Sequence, residues 1–168
     1  AGKALTSGVN NVLIGKSAAC NLAGGGDNIT IGDCAGYTLS SGGCNVMIGR
    51  HAGYYDDDGT YQVFMGFMSG RYMQGTSNTA IGSYALTGSS TPGNNTGTNN
   101  IALGLYAGCG MTSGAYNVLL GYEVAKGGTI TGGCNVIIGC QATRDLTSGT
   151  DNIIMGRQAG DSTTTSNC

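Results

Sequence analysis

Asn45-Val46-Met47-Ile48-Gly49 decides the fold, because the same phrase returns along the whole chain. It is preceded by Asn11-Val12-Leu13-Ile14-Gly15 and Asn28-Ile29-Thr30-Ile31-Gly32. It is followed by Gln62-Val63-Phe64-Met65-Gly66, Asn78-Thr79-Ala80-Ile81-Gly82 and Asn100-Ile101-Ala102-Leu103-Gly104. Asn117-Val118-Leu119-Leu120-Gly121, Asn135-Val136-Ile137-Ile138-Gly139 and Asn152-Ile153-Ile154-Met155-Gly156 complete the series. Successive final glycines are spaced by 17, 17, 17, 16, 22, 17, 18 and 17 residues. Nine copies of one unit therefore make residues 1–168 a single repeat domain with no internal linker.

Aligning the copies on that glycine brings out the rest of the unit. A second glycine stands seven residues earlier in every copy, as at Gly8, Gly25 and Gly42. Three residues after the first comes a small residue, as at Ala18, Ala35 and Ala52, often followed by Gly. A unit of this length is too short for a helix pair, but it holds short strands and tight turns. Its Val and Ile fit a pleated strand, and its fixed glycines fit turns needing positive φ or close backbone approach. So small a unit cannot bury its own apolar side, so copies must stack. The expected fold is all-β, a parallel β-solenoid of about nine 17-residue coils. With coils about 4.8 Å apart the rod is roughly 43 Å long.

Composition agrees and removes other classes. Of 168 residues 33 are Gly, one is Pro and none is Trp. Collagen needs glycine at every third position with abundant proline. Glycine spread this widely costs about 1 kcal/mol at each helical site, which excludes a helical bundle. With 40% apolar residues and a net charge of −2, the chain is not a charged disordered segment. Seven Lys and Arg against nine Asp and Glu exclude a basic nucleic-acid binder. No apolar run approaches the roughly 18 residues of a membrane span.

Stacking turns each position into a column. Val or Ile and the residue two further on share a side of the strand and are expected to fill the interior, against the alanines of the return pass. Asn11, Asn28, Asn45, Asn78, Asn100, Asn117, Asn135 and Asn152, with Gln62, are expected to bond amide to amide and to cap turn backbone. With Gly15, Gly32 and Gly49 and their equivalents, they form the structural framework. The residue between the two inward ones then faces outward, yet it is apolar in eight of nine coils. Leu13, Met47, Phe64, Leu119, Ile137 and Ile154 are therefore expected to form an interface between copies. Cyclic symmetry about an axis parallel to the rod would bury this stripe, with a homotrimer as the natural assembly.

The phrase N-V-x-I-G-x-x-A-G resembles the head repeats of the YadA-like trimeric autotransporter adhesins. It is also similar to the Gly/Asn-rich repeats of bacteriophage tail fibres of the cyanophage type. The resemblance covers about residues 5–160. It implies a left-handed β-roll assembled as a trimer, and a role in attachment or in a virion shaft. Adhesin-head units are generally shorter, and the extra residues here are expected to enlarge the turn after Leu-Thr-Ser-Gly.

Seven cysteines, at 20, 34, 44, 109, 134, 140 and 168, never fall at equivalent positions of adjacent coils. Cys34 stacks on Ser17 and His51, so no orderly disulfide ladder is expected, while offset pairs such as Cys20 with Cys34 stay open; free cysteines suit folding in a reducing cytoplasm. That favours a phage fibre over an exported adhesin.

Chemistry is sparse. His51, the only histidine, has no Cys, Asp or Glu at zinc-ligand spacing along the chain and reads as a variable exposed slot. Asp56-Asp57-Asp58 replaces the usual Leu-Thr-Ser turn and offers oxygen ligands for calcium, with a solvated acidic turn as the simpler reading. No other cofactor is expected. The 22-residue spacing places a protruding loop at Ser89, Pro92, Asn94 and Asn95, where a receptor contact would sit. Tyr37, Tyr54, Tyr55, Tyr72, Tyr84, Tyr106 and Tyr122 cluster on the return pass, either stacked coil on coil or free for sugar or protein contact. Glu123 is the only Glu and the eight Asp scatter, so no paired carboxylates for glycan cleavage are expected. The Thr and Ser of the turn are too mixed for an ice-binding lattice. With no capping segment apparent at either end, further chain or neighbours are expected to cover the open edges.

The expected function is a non-catalytic structural or attachment protein of a phage tail fibre or virion appendage. It would fold in the host cytoplasm and bind a host-surface glycan or protein, without nucleic acid and without membrane insertion. The alternative is a trimeric cell-surface adhesin or self-assembling extracellular fibre.

Overall fold

The computed structural model describes residues 1–91, 93–161 and 165. The fold is a parallel β-solenoid with one strand per coil. The strands are β1 (Val12–Ile14), β2 (Ile29–Ile31), β3 (Val46–Ile48), β4 (Val63–Met65) and β5 (Thr79–Ile81). They continue as β6 (Ile101–Leu103), β7 (Val118–Leu120), β8 (Val136–Ile138) and β9 (Ile153–Met155). All nine form one sheet in chain order. Equivalent positions pair, so Met47 lies beside Phe64 and Leu119 beside Ile137. The longest interval does not break the register, since Thr79 still pairs with Ile101. Among the described residues no helix is long and apolar enough to cross a membrane.

The strand residues point the other way from the sequence expectation. Met47, Phe64, Ala80, Ala102, Leu119 and Ile137, each the middle of its strand, are fully buried inside the single coil stack. Ile154 packs against this core at one end, and Leu13 packs against a smaller cluster of Ala19, Leu22 and Leu39 at the other. Leu13, Met47, Phe64, Leu119, Ile137 and Ile154 are thus interior residues and not an interface between copies. The flanking pair faces outward: in the interior coils Val46 and Ile48 are half-buried and Ile81 and Ile101 are each 41% exposed. The turn geometry explains the inversion. A three-residue strand can present either parity inward, and the return pass approaches it closely. Only one side chain per strand fits between the strand and the alanines Ala35, Ala52, Ala85, Ala107 and Ala142, all fully buried.

The two glycine columns have different causes. Gly49 and its equivalents carry φ near +130°, which a side chain rarely adopts. Gly25 has no such φ, but a Cβ there would stand 2.1 Å from the Gly42 carbonyl oxygen of the next coil. Non-glycine residues also take the left-handed region, at two positions of every coil, among them Asp27 (φ 59°) and Cys44 (φ 57°) before the strand and Cys34 (φ 55°) and His51 (φ 59°) after it. Inter-coil hydrogen bonds hold these bends in place, such as His51 N to Asp33 O at 3.0 Å and Gly53 N to Ser69 O at 2.9 Å.

Buried amides stitch each coil to the turn of the following one. Asn100 Oδ1 accepts from the Asn117 backbone N–H at 3.0 Å and its Nδ2 at 3.0 Å. Asn100 Nδ2 donates to the Gly114 carbonyl at 2.8 Å and to Asn78 Oδ1 at 3.1 Å. Gln62 keeps the chain of bonds intact, accepting from Asn78 N at 2.9 Å and donating to the Gly75 carbonyl. Each amide thereby satisfies backbone groups that the narrow coil would otherwise bury unpaired.

A second apolar column, Leu22, Leu39, Met73, Met111, Ile130 and Leu146, fills the far end of the coil. Asp56 and Asn95 occupy this column in two coils and are fully buried.

Candidate functional site

Three surfaces of the rod carry unusual chemistry. The first is the outer strand face. Val46 and Ile48, Val118 and Leu120, Val136 and Ile138 and their equivalents make two apolar rows, broken only by Thr79. No charged side chain lies within any of the nine strands. A contiguous apolar surface of this kind marks an interaction site.

The second surface is the return pass, where tyrosines stack. Tyr37 and Tyr54 lie 5.0 Å apart with planes at 11°, and Tyr55 and Tyr72 lie 5.0 Å apart at 10°. The Arg71 guanidinium stands 5.1 Å from the Tyr72 ring, 5.7 Å from Tyr54 and 5.9 Å from Tyr55. Cation–π attraction therefore ties the two stacks together. Burial pushes the Tyr54 hydroxyl above its usual range, so it stays protonated. Beside Tyr55 runs a groove of about 390 Å³ lined by Asn21, Thr38, Ser40, Asp57 and Gln74. An aromatic wall facing amides, hydroxyls and a carboxylate is a surface onto which a sugar ring stacks and hydrogen-bonds. A second stack, Tyr84 on Tyr106 at 4.8 Å, is capped by Lys126, whose Nζ lies 4.3 Å from the Tyr106 ring. Lys126 also pairs with Glu123 at 2.6 Å, and Gln141 donates to the same carboxylate at 3.0 Å. These partners hold the Glu123 carboxyl down to about 2. The only Glu is thus an anchored ion-pair member.

The loop of the longest interval lines another groove, of about 480 Å³, with Ser89, Gly93, Asn94, Thr96, Thr112, Ser113 and Thr129. Asn94 is exposed there. Asn95, expected among the receptor contacts, is turned inward instead. It donates to the carbonyls of Ser89 at 2.9 Å and Thr91 at 3.1 Å and accepts from the Ser89 N–H at 2.7 Å. It is the latch that closes the loop. Pro92 and Cys168 lie outside the described residues.

The acidic run does not present three carboxylates together. Asp57 and Asp58 are exposed, while Asp56 points into the core and accepts from Gly59 N at 2.9 Å. Its other oxygen, Oδ2, is buried without a hydrogen-bond partner. Burial pushes the Asp56 carboxyl up to about 8 against the pull of the Gly59 N–H, and the Asp58 charge adds to the rise.

The third surface brings together residues that chain spacing keeps apart. Cys34 and His51 are neighbours in one column, and Asp33 precedes Cys34. One ligand atom from each of Asp33, Cys34 and His51 lies within 4.8 Å of the others. His51 lacks a ligand partner at close chain spacing, but the coil supplies two, one turn back. The 17-residue offset between Cys34 and His51 was the available signal. The cysteines at 20, 34, 44, 109, 134 and 140 are all free.

No protein-family model, no curated protein and no solved structure matches this chain.

Proposed function

We propose that this chain is a non-catalytic rod of a bacteriophage tail fibre or comparable virion appendage, assembled from copies of itself and used in attachment. The observation that carries this reading is the apolar strand face, which holds no charged side chain in any of the nine strands. A parallel sheet that is apolar on both sides belongs in a structure that covers both sides. Parallel rods packed around a common axis, three in the arrangement that the YadA-like resemblance implies, cover it with the same patch on every copy. Six unpaired cysteines, three of them exposed, support folding in a reducing compartment such as the host cytoplasm before release in the virion. The Tyr55 groove supplies a surface for a host glycan.

Light scattering of the purified chain tests the assembly. A particle of about three times 16.8 kDa is expected, and a stable monomer at micromolar concentration overturns the reading. A second reading, a cell-surface adhesin or extracellular fibre, shares the assembly and the groove. Antibody labelling separates them: decorated virion appendages support the first reading, and labelled cell envelopes support the second.

A further inference from the structure

We propose that Asp33, Cys34 and His51 form a binding site for a borderline-soft divalent metal ion of the zinc class. The site stands on geometry independent of what the rod attaches to. Three donors of different chemistry, a carboxylate oxygen, a thiol sulfur and an imidazole nitrogen, converge within 4.8 Å. Nδ1 of His51 is buried and has no hydrogen-bond partner. A buried, unpaired ring nitrogen is costly, and a metal ion held through Nδ1 would relieve that cost.

The scaffold holds the donors firmly. His51 N donates to Asp33 O at 3.0 Å, which locks the two coils at this point. Tyr54 meets the His51 ring edge-on at 5.1 Å and limits its rotation. The two oxygens of Asp33 are already divided between roles. Oδ2 faces Arg50 Nε at 3.6 Å, and Oδ1 accepts from Cys34 Sγ at 3.4 Å. Replacing that thiol proton by a cation leaves Oδ1 and the thiolate as ligands of the same ion. Metal–ligand bonds of about 2.0–2.3 Å require ligand atoms about 3.5 Å apart, so a side-chain adjustment of about 1 Å closes the present 4.8 Å cluster.

Charges around the cluster set its protonation. Burial, with Arg71 and Arg50 nearby, lowers the His51 pKa and keeps the imidazole neutral with a free lone pair. Burial and the Asp33 contact raise the Cys34 pKa, against Lys16 and Arg50, so the thiol holds its proton until a metal displaces it to solvent. One proton leaves for each ion bound. Sulfur and nitrogen donors disfavour calcium and magnesium, which take oxygen ligands. Three protein ligands leave the fourth tetrahedral position to water.

Cobalt(II) titration of the whole reduced chain reads the site directly. One equivalent is expected to produce a thiolate-to-cobalt charge-transfer band and the intense visible bands of a four-coordinate ion, both displaced by zinc. Cys34→Ser places in this column the residue type that Ser17 already supplies, and His51→Gln the type of Gln141, so both variants keep the fold. Each is expected to weaken binding at least tenfold, and Cys34→Ser is expected to abolish the charge-transfer band. Cys44→Ser, on another turn, is expected to change nothing. Zinc is also expected to raise the thermal midpoint of the parent chain and not that of the two ligand variants. Absence of saturable binding, or a band that survives both Cys34→Ser and His51→Gln, overturns the proposal.

Discussion

The Phe64 ring lies across Gly70, so close that a Cβ at Gly70 would stand 2.5 Å from Phe64 Cδ1. The same relation recurs with the sizes exchanged. Leu86 occupies in its coil the place of Gly70, and the inward strand residues beside it are Ala80 and Ala102. In these two coils a large strand residue, Phe64, is matched by glycine on the return pass, and a small one, Ala80, by leucine. The cross-section stays constant because volume is traded across it.

Phe64→Ala is therefore expected to destabilise the rod by about 3–5 kcal/mol through the cavity it leaves. Gly70→Leu alone is expected to cost at least as much, because it overpacks the same space. The double variant reproduces the Ala80–Leu86 arrangement and should recover part of both losses. Denaturant unfolding of the three variants measures the coupling, and strictly additive losses would contradict the volume exchange.

Asp56 takes the place that Leu22 and Leu39 fill in neighbouring coils. Its carboxyl titrates near 3.8 when unfolded and near 8 when folded. Below the first value both states are protonated and the burial penalty is smallest. Between the two values only the unfolded state gives up its proton, so stability falls as pH rises, and above the second the loss is complete. At ~1.4 kcal/mol per unit the whole swing is about 6 kcal/mol. Asp56→Leu is expected to flatten this slope, with a gain in thermal midpoint that is small near about pH 4 and large near about pH 9. An equal gain at both ends would refute the neutral buried acid.

Asn100 serves the coil on each side of it. Asn100→Ala leaves the Asn117 N–H and the Gly114 carbonyl without their side-chain partner. A cost of about 2–4 kcal/mol follows from two unsatisfied buried groups. Hydrogen exchange should quicken most at Asn117, and unchanged protection there would show that the ladder contributes little.

The strand face and the strand centre should respond differently to charge. Ile48→Lys and Leu120→Lys place a charge on the outer rows without entering the coil, and are expected to yield folded monomers by light scattering and circular dichroism. Met47→Lys buries the charge inside the coil and is expected to unfold the chain. Ile48→Lys that remains fully assembled would show that copies do not meet through this face.

Much of the fold is legible in the repeat alone. Translation along a stack makes residues one repeat apart neighbours, so strand pairing, the amide column, the tyrosine stacks and both glycine columns follow from alignment. The looped-out insertion follows too, because Thr79 must still meet Ile101. The metal-ligand cluster was half visible, since Cys34 and His51 share a column, but Asp33 joins them only through the direction its side chain takes.

The sequence by itself determined the periodic object: a stack of short strands with glycine at each forced bend. Only the tertiary structure decided which side of each strand is inside. Alternation in a pleated strand distinguishes two faces without saying which is buried, and here both are apolar. The return pass settles it, because a coil lined by alanine and glycine has room for one side chain per strand. That choice moves Met47 and Phe64 from surface to core and turns Val46 and Ile48 outward. The same closure carries Asp56 into the apolar column, where its charge becomes costly, and seats Asn95 beneath the loop it holds.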